Sequence, residues 1–142
     1  MRTEWKNLKG GVETVGGKTY RFRSGFEIRW AKYLEMIKSI DAIADWEYEP
    51  QRFEFKAIRS GTVFYTPDFK VIEKDDYWWE ECKGYLTQKD ITKFRRMAKY
   101  YPDEKIVLVM QRFPKKQRLI DNARKYCHRI INGGEILKKL GL

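Results

Sequence analysis

Ile106-Val107-Leu108-Val109-Met110 is an unbroken apolar run of strand length. Successive side chains of a strand point to opposite faces, so a strand apolar at every position must be covered on both sides. That places it inside a sheet with layers packed above and below, and the flanking sequence supplies the layers. Over about 88–101, Ile91, Phe94, Met97, Ala98 and Tyr101 recur at helical spacing, with Lys89, Lys93, Arg96 and Lys99 on or near the other side. Thr87 and Asp90 form a capping-box pattern at its start, and Pro102-Asp103 stops it. From Lys115 to about Asn132, Leu119, Ile120, Ala123, Tyr126, Cys127, Ile130 and Ile131 predict a second basic helix, broken by Gly133-Gly134.

Upstream, Ser24 precedes a helical stretch, FEIRWAKYLEMIKSI, as an N-cap, with Glu27 at the third helical position. Alternation then changes to strand period: Trp46 and Tyr48, next Phe53 and Phe55 beyond Pro50, and Val63-Phe64-Tyr65 after the turn Arg59-Ser60-Gly61-Thr62. Glu73-Lys74-Asp75-Asp76 is a charged turn leading into Tyr77–Lys83. The order α-β-β-β-α-β-α predicts an α/β fold, a central mixed sheet flanked by helices. Residues 1–23, with two Gly-Gly pairs and little periodicity, read as a flexible basic arm; residues 24–142 read as a single domain.

The net charge of +10 is unevenly distributed. Residues 1–85 carry 15 Lys+Arg and 15 Asp+Glu, whereas residues 86–142 carry 15 against 5. A one-sided positive field predicts a polyanionic partner; a solubilising surface is the plainer alternative. No apolar run approaches the roughly 20 residues of a membrane span, and the chain starts without an apolar signal core, so a cytoplasmic protein is expected. Two cysteines and one histidine make neither a disulfide framework nor a zinc site, and His128 reads as a surface or packing residue.

The chemistry concentrates in Thr66-Pro67-Asp68-Phe69-Lys70 and Tyr77-Trp78-Trp79-Glu80-Glu81-Cys82-Lys83-Gly84. On a strand Glu81 and Lys83 share a face while Glu80 and Cys82 take the other, so Glu80 is the rival set aside. If strand pairing brings Asp68 beside Glu81, two oxygen ligands and a cation converge, a plausible site for a divalent metal with an amine placed for water or phosphate. Glu-x-Lys alone means little, since it recurs at Glu4/Lys6 and Glu54/Lys56. The non-catalytic alternative is an Asp68–Lys83 salt bridge beside an exposed strand, with Glu81 solvated. Glu27 has a capping role available as well as a catalytic one.

Pro67-Asp68, a turn, then Glu81-Cys82-Lys83 resembles the signature of the PD-(D/E)xK nuclease superfamily. With Glu27 on the preceding helix, the stretch Ser24–Met110 resembles the small phage and archaeal Holliday-junction resolvases and related phage endonucleases. The resemblance implies a restriction-endonuclease-like core and a metal-dependent endonuclease acting on branched DNA. Asp68 and Glu81, with the Cys82 carbonyl and Glu27, would hold Mg²⁺, for which Mn²⁺ would substitute. Lys83 would orient or deprotonate water, or stabilise the phosphate charge. Arg21, Arg23, Lys89, Lys93 and Arg96 are the candidate DNA contacts, and cutting two strands predicts a homodimer. The competing readings are a sequence-specific or nicking endonuclease, and a non-catalytic nucleic-acid-binding module on a nuclease-like core.

Overall fold

The structure is a computed structural model that describes residues 9–115 and 117–142. Residues 1–8 of the expected arm, and Lys116 of the expected second basic helix, lie outside the described residues. Nine strands and four helices are described: β1 (Lys9–Val15), β2 (Lys18–Ser24), α1 (Gly25–Ser39), β3 (Asp45–Tyr48), β4 (Phe53–Glu54), β5 (Phe64–Tyr65), β6 (Phe69–Ile72), β7 (Tyr77–Lys83), α2 (Gln88–Tyr100), β8 (Ile106–Met110), α3 (Arg118–Arg124), β9 (Arg129–Asn132) and α4 (Gly133–Lys139). The fold is mixed α/β. Its central sheet has five strands in the order β3-β6-β7-β8-β9, antiparallel from β3 to β7 and parallel from β7 to β9.

The apolar run occupies β8, where all five residues are buried. Val107 and Val109 pack with Phe26, Trp30 and Leu34 of α1 and with Leu137 of α4. Ile106, Leu108 and Met110 pack on the other face with Ile91, Phe94 and Met97 of α2 and Ile120 and Ala123 of α3. Burying each such aliphatic side chain contributes about 1.5–3 kcal/mol, so this strand anchors both layers. Helix α2 begins as its sequence predicts: Thr87 Oγ1 accepts the Asp90 N–H, and the Asp90 carboxylate accepts the Thr87 N–H.

Two stretches depart from the sequence reading. Residues 9–24 form an antiparallel hairpin rather than an irregular arm. Val15 pairs with Lys18, so the connection is Gly16-Gly17, with φ of 58° and 79°. Positive φ at both central residues is the condition for the tight turn that matches strand twist, and glycine meets it at least cost. Val15 and Phe22 enter the core against α1, and the Phe22 ring lies 4.5 Å from that of Tyr48.

Among the described residues, the expected helix from Lys115 to Asn132 is helical over Arg118–Arg124 alone, and Arg129–Asn132 instead forms the parallel edge strand β9. A helix through Asn132 would leave the backbone groups along one side of β8 without partners, whereas β9 satisfies them from Val107 to Met110. Gly133-Gly134 therefore opens α4 instead of ending a helix, with Asn132 Oδ1 accepting the Glu135 N–H at 3.0 Å. These glycines permit close approach: a Cβ on Gly133 would lie 2.4 Å from Val109 Cγ1, and one on Gly134 would lie 1.8 Å from the Gln111 carbonyl oxygen.

Candidate active site

The antiparallel register of β6 and β7 pairs Phe69 with Glu80, which sets Asp68, one residue before β6, opposite Glu81. The expected juxtaposition therefore forms. The Cys82 N–H donates to Asp68 Oδ2 at 2.8 Å, and the Asp68 N–H donates to Glu81 Oε1 at 3.2 Å. Asp68 is 6% exposed and Glu81 5%. Lys83 Nζ lies 3.6 Å from Glu81 Oε2 and 2.9 Å from Asp90 Oδ1. The alternative of an Asp68–Lys83 pair with a solvated Glu81 does not hold: the lysine's ion pairs are with Glu81 and Asp90, and Glu81 is buried.

Two tyrosines and Asp90, which the sequence reading did not assign to the site, help build it. Tyr65 donates its hydroxyl to Glu81 Oε1 at 3.0 Å. Tyr48 donates to Glu27 Oε1 at 2.6 Å, and Glu27 also accepts the Arg23 N–H at 3.3 Å. Ser24 Oγ accepts the Glu27 N–H as N-cap, so Glu27 combines its place in the first turn with a position beside the acidic cluster. Asp90 divides its carboxylate: Oδ2 caps α2 and Oδ1 holds Lys83. The Thr87-x-x-Asp90 pattern announced the cap, but nothing local announced the lysine.

The electrostatics are unbalanced toward negative charge. Burial pushes Asp68 well above the usual carboxylate range, and the charges of Glu81 and Glu27 push it further. Burial likewise raises Glu81, opposed by Lys83, the Tyr65 hydroxyl and Lys93. Burial works against the charge of Lys83, yet Glu81 and Asp90 outweigh it, so its net direction is up and the ammonium is held protonated. Glu80 projects to the α1 face as alternation requires. Its oxygens accept the indole N–H groups of Trp30 at 2.7 Å and Trp78 at 2.9 Å, which makes it a buried structural carboxylate.

Among the described residues, no three His, Cys, Asp or Glu side chains are grouped as metal ligands. Both oxygens of Glu27 accept, Oε1 from Tyr48 and Oε2 from Ser24 Oγ, whereas Asp68 accepts only at Oδ2, from a backbone amide. What remains is a two-carboxylate set, in which Asp68 Oδ1 and Glu81 Oε2 accept no hydrogen bond among the described residues. That set fits Mg²⁺, a hard cation that keeps several waters and is commonly held by only one or two carboxylates plus phosphate oxygens. Cys82, whose carbonyl was an expected ligand, contributes its N–H to the cluster.

The candidate DNA contacts divide. Lys93 lies 5.9 Å from the Tyr65 ring and acts on the charge of Glu81, which places it at the site. Lys89 is exposed on the first turn of α2. Arg23 pairs with Glu49 at 3.0 Å and is stabilised first by that residue, then by Tyr48, Asp68 and Glu27, which sets it at the rim; Arg21 is exposed on the same strand. Arg96 is committed elsewhere, donating to the Thr62 carbonyl that leads into β5. Glu49, at φ 45°, ties β3 to the site by donating its N–H to the Asp68 carbonyl at 2.7 Å. No protein-family model matches the chain, and neither a curated protein nor a solved structure matches it.

Proposed function

We propose that the protein is a metal-dependent endonuclease with a restriction-endonuclease-like core, hydrolysing phosphodiester bonds in DNA. The observation that carries this reading is the burial of Asp68 and Glu81 against each other beside a protonated Lys83. Two buried carboxylates in contact oppose folding unless a cation offsets them, and such an arrangement persists where chemistry needs it.

Asp68 and Glu81 would hold Mg²⁺, which when bound acidifies a coordinated water and offsets the phosphate charge. Tyr65 and the Asp68 N–H fix Glu81 Oε1, and the Cys82 N–H fixes Asp68 Oδ2, so the pair is oriented before substrate arrives. Water adds to phosphorus and gives up a proton to solvent, the P–O ester bond breaks, and the departing oxygen takes up a proton from solvent. Lys83, held protonated by Glu81 and Asp90 against its burial, suits stabilisation of the charge on the phosphate better than removal of a proton from water. Lys89 and Lys93 would meet the flanking backbone. Branched DNA and a homodimer that cuts both strands belong to the same proposal.

The second reading, a non-catalytic nucleic-acid-binding module, is disfavoured by the same pair, because buried carboxylates repel the phosphates such a module must hold. The test is cleavage of a labelled four-way junction and a matched linear duplex, with Mg²⁺ or EDTA, by wild type and Glu81→Ala. Metal-dependent cutting abolished in Glu81→Ala supports the nuclease, and a preference for the junction supports the resolving role. Tight binding without cutting would replace the proposal with the binding module.

A further inference from the structure

Four aromatic side chains count among the exposed large apolar groups: Phe64, Tyr77, Tyr85 and Phe113. Two have partners within the molecule. Arg52 lies over the Phe64 ring at 4.1 Å, and Tyr77 has Lys70 over it at 4.5 Å and Trp79 against its edge. Tyr85, 75% exposed, and Phe113, 40% exposed, have neither a ring nor a cation against them among the described residues.

Those two residues follow the ends of adjacent parallel strands. Tyr85 comes two residues after Lys83, which ends β7, and Phe113 three residues after Met110, which ends β8. The Gln111 N–H donates to the Lys83 carbonyl at 2.8 Å, and the Gln111 side chain lies within 3.4 Å of where a Gly84 Cβ would stand, so the roots of the two loops are joined. Ligands of open α/β sheets bind in the crevice outside such strand ends. Lys89, Arg112 and Lys115, all exposed, supply positive charge around the same two loops and the start of α2.

We propose that Tyr85 and Phe113 are a stacking platform for unpaired bases next to the scissile phosphate. The substrate is then a nucleic acid whose nucleotides are single-stranded or splayed at the cut: a flap, gap or open branch point rather than continuous duplex. This inference rests on the nuclease reading of the Asp68–Glu81–Lys83 site and specifies its substrate. Bases in a duplex bury their faces on each other, so an exposed ring stacks on a base already out of the stack without the cost of unstacking a step. The flanking cations hold the backbone irrespective of sequence.

The experiment uses the full chain with 2-aminopurine placed singly along a flapped oligonucleotide and along its fully paired counterpart. Binding is measured in EDTA, where no cutting interferes, and cleavage separately with Mg²⁺. Wild type is expected to quench the probe at unpaired positions beside the branch. Tyr85→Ala is expected to weaken flap binding about 5- to 100-fold, to change duplex binding less than about twofold, and to recover in Tyr85→Trp. Because Tyr85 is so exposed, its substitution leaves the melting temperature unmoved, which separates stacking from folding. Equal losses on both oligonucleotides, or no loss on either, overturn the platform. Phe113→Ala is expected to show the same selectivity.

The two proposals fail separately. Cutting by wild type with Tyr85→Ala unimpaired on the flap removes the platform and leaves the nuclease. Tyr85-dependent quenching without cutting removes the nuclease and leaves the stacking surface. Absence of nucleic-acid binding altogether overturns the platform and points to a protein partner for these rings.

Discussion

Replacing Glu81 by glutamine should make the metal-free protein more stable while ending its activity. The substitution keeps an acceptor oxygen for the Tyr65 hydroxyl and the Asp68 N–H and removes one of two charges buried in contact. Burial pushes Glu81 from an ordinary 4.5 up to about 7. At pH 7 the unfolded chain ionises this group freely, whereas the folded chain resists doing so. A pK unit is worth about 1.4 kcal/mol, so the neutral side chain is favoured by an upper limit of about 3 kcal/mol. The amide nitrogen of glutamine would face Lys83 in place of Oε2, now 3.6 Å from the ammonium, and that contact opposes the gain. The expectation is a net increase of about 1–2 kcal/mol, or roughly 3–8 °C in melting temperature for a chain of this size.

The pH dependence follows from the direction of the shift. A folded-state pKa raised above the unfolded one gives a contribution fully present below the unfolded value and lost as pH rises through the folded value. Wild type in EDTA should therefore lose stability between about pH 4.5 and 7 through this group, and Glu81→Gln should not, so the advantage of the variant vanishes in mild acid. Excess Mg²⁺ should reverse the order, since a ligand at about one hundred times its Kd stabilises the wild type by about 2.7 kcal/mol and the variant has lost half the carboxylate pair. Thermal melts followed by circular dichroism across this pH range, with EDTA and with Mg²⁺, read all of this. A variant less stable than wild type at pH 7 in EDTA, or a wild type indifferent to Mg²⁺, would refute the reasoning.

Asp90→Asn retains an acceptor for the Thr87 N–H but removes the charge that supports Lys83, so melting should change by about 1 kcal/mol or less while activity falls at least about tenfold and the alkaline limb of the pH–rate profile moves to lower pH. An unchanged profile would show that Asp90 does not act through the lysine. Glu80→Ala should cost about 1–3 kcal/mol by leaving the buried indole N–H of Trp30 and the half-buried one of Trp78 without their acceptor, yet the folded fraction, measured by active-site titration, should still cut DNA. Gly133→Ala forces a methyl to within 2.4 Å of Val109 and should lower stability by about 1–3 kcal/mol; a neutral melt would mean that α4 docks less closely on β8.

What was legible in the sequence is what neighbouring residues determine among themselves. The apolar run of β8, the Thr87–Asp90 cap and the Ser24 cap are local patterns, and all three formed. The hairpin was legible in principle: Gly16-Gly17 between Val15 and Lys18 has the length and residue type of a two-residue turn. Alternation is present too, with Tyr20 and Phe22 inward between Thr19, Arg21 and Arg23, and it is the two Gly-Gly pairs and the polar first strand that disguise it as an irregular arm. The edge strand β9 was not legible locally. Cys127 and Ile131 are spaced as on a helix face, and only the unpaired side of β8, a tertiary fact, makes an extended segment the better use of Ile130 and Ile131.

The candidate site divides along the same line. Alternation along β7 sorts the adjacent carboxylates Glu80 and Glu81 into opposite environments without any tertiary information. Toward α1, burial pushes Glu80 up as well, but two indole donors and the charge of Arg129 oppose that push, and no second carboxylate adds to it. Toward α2, Glu81 also finds donors, in Tyr65 and the Asp68 amide, but these come with a second buried carboxylate, Asp68, whose one backbone donor from Cys82 does not offset its burial. Lys83 is shared with Asp90 and cannot balance both Asp68 and Glu81. Tyr65 and Asp90 reach this point from β5 and α2, at sequence distances that no local pattern encodes. The fold has thus given one glutamate a donor on each oxygen and set its neighbour against a second carboxylate, which is the asymmetry that the proposed metal-dependent chemistry requires.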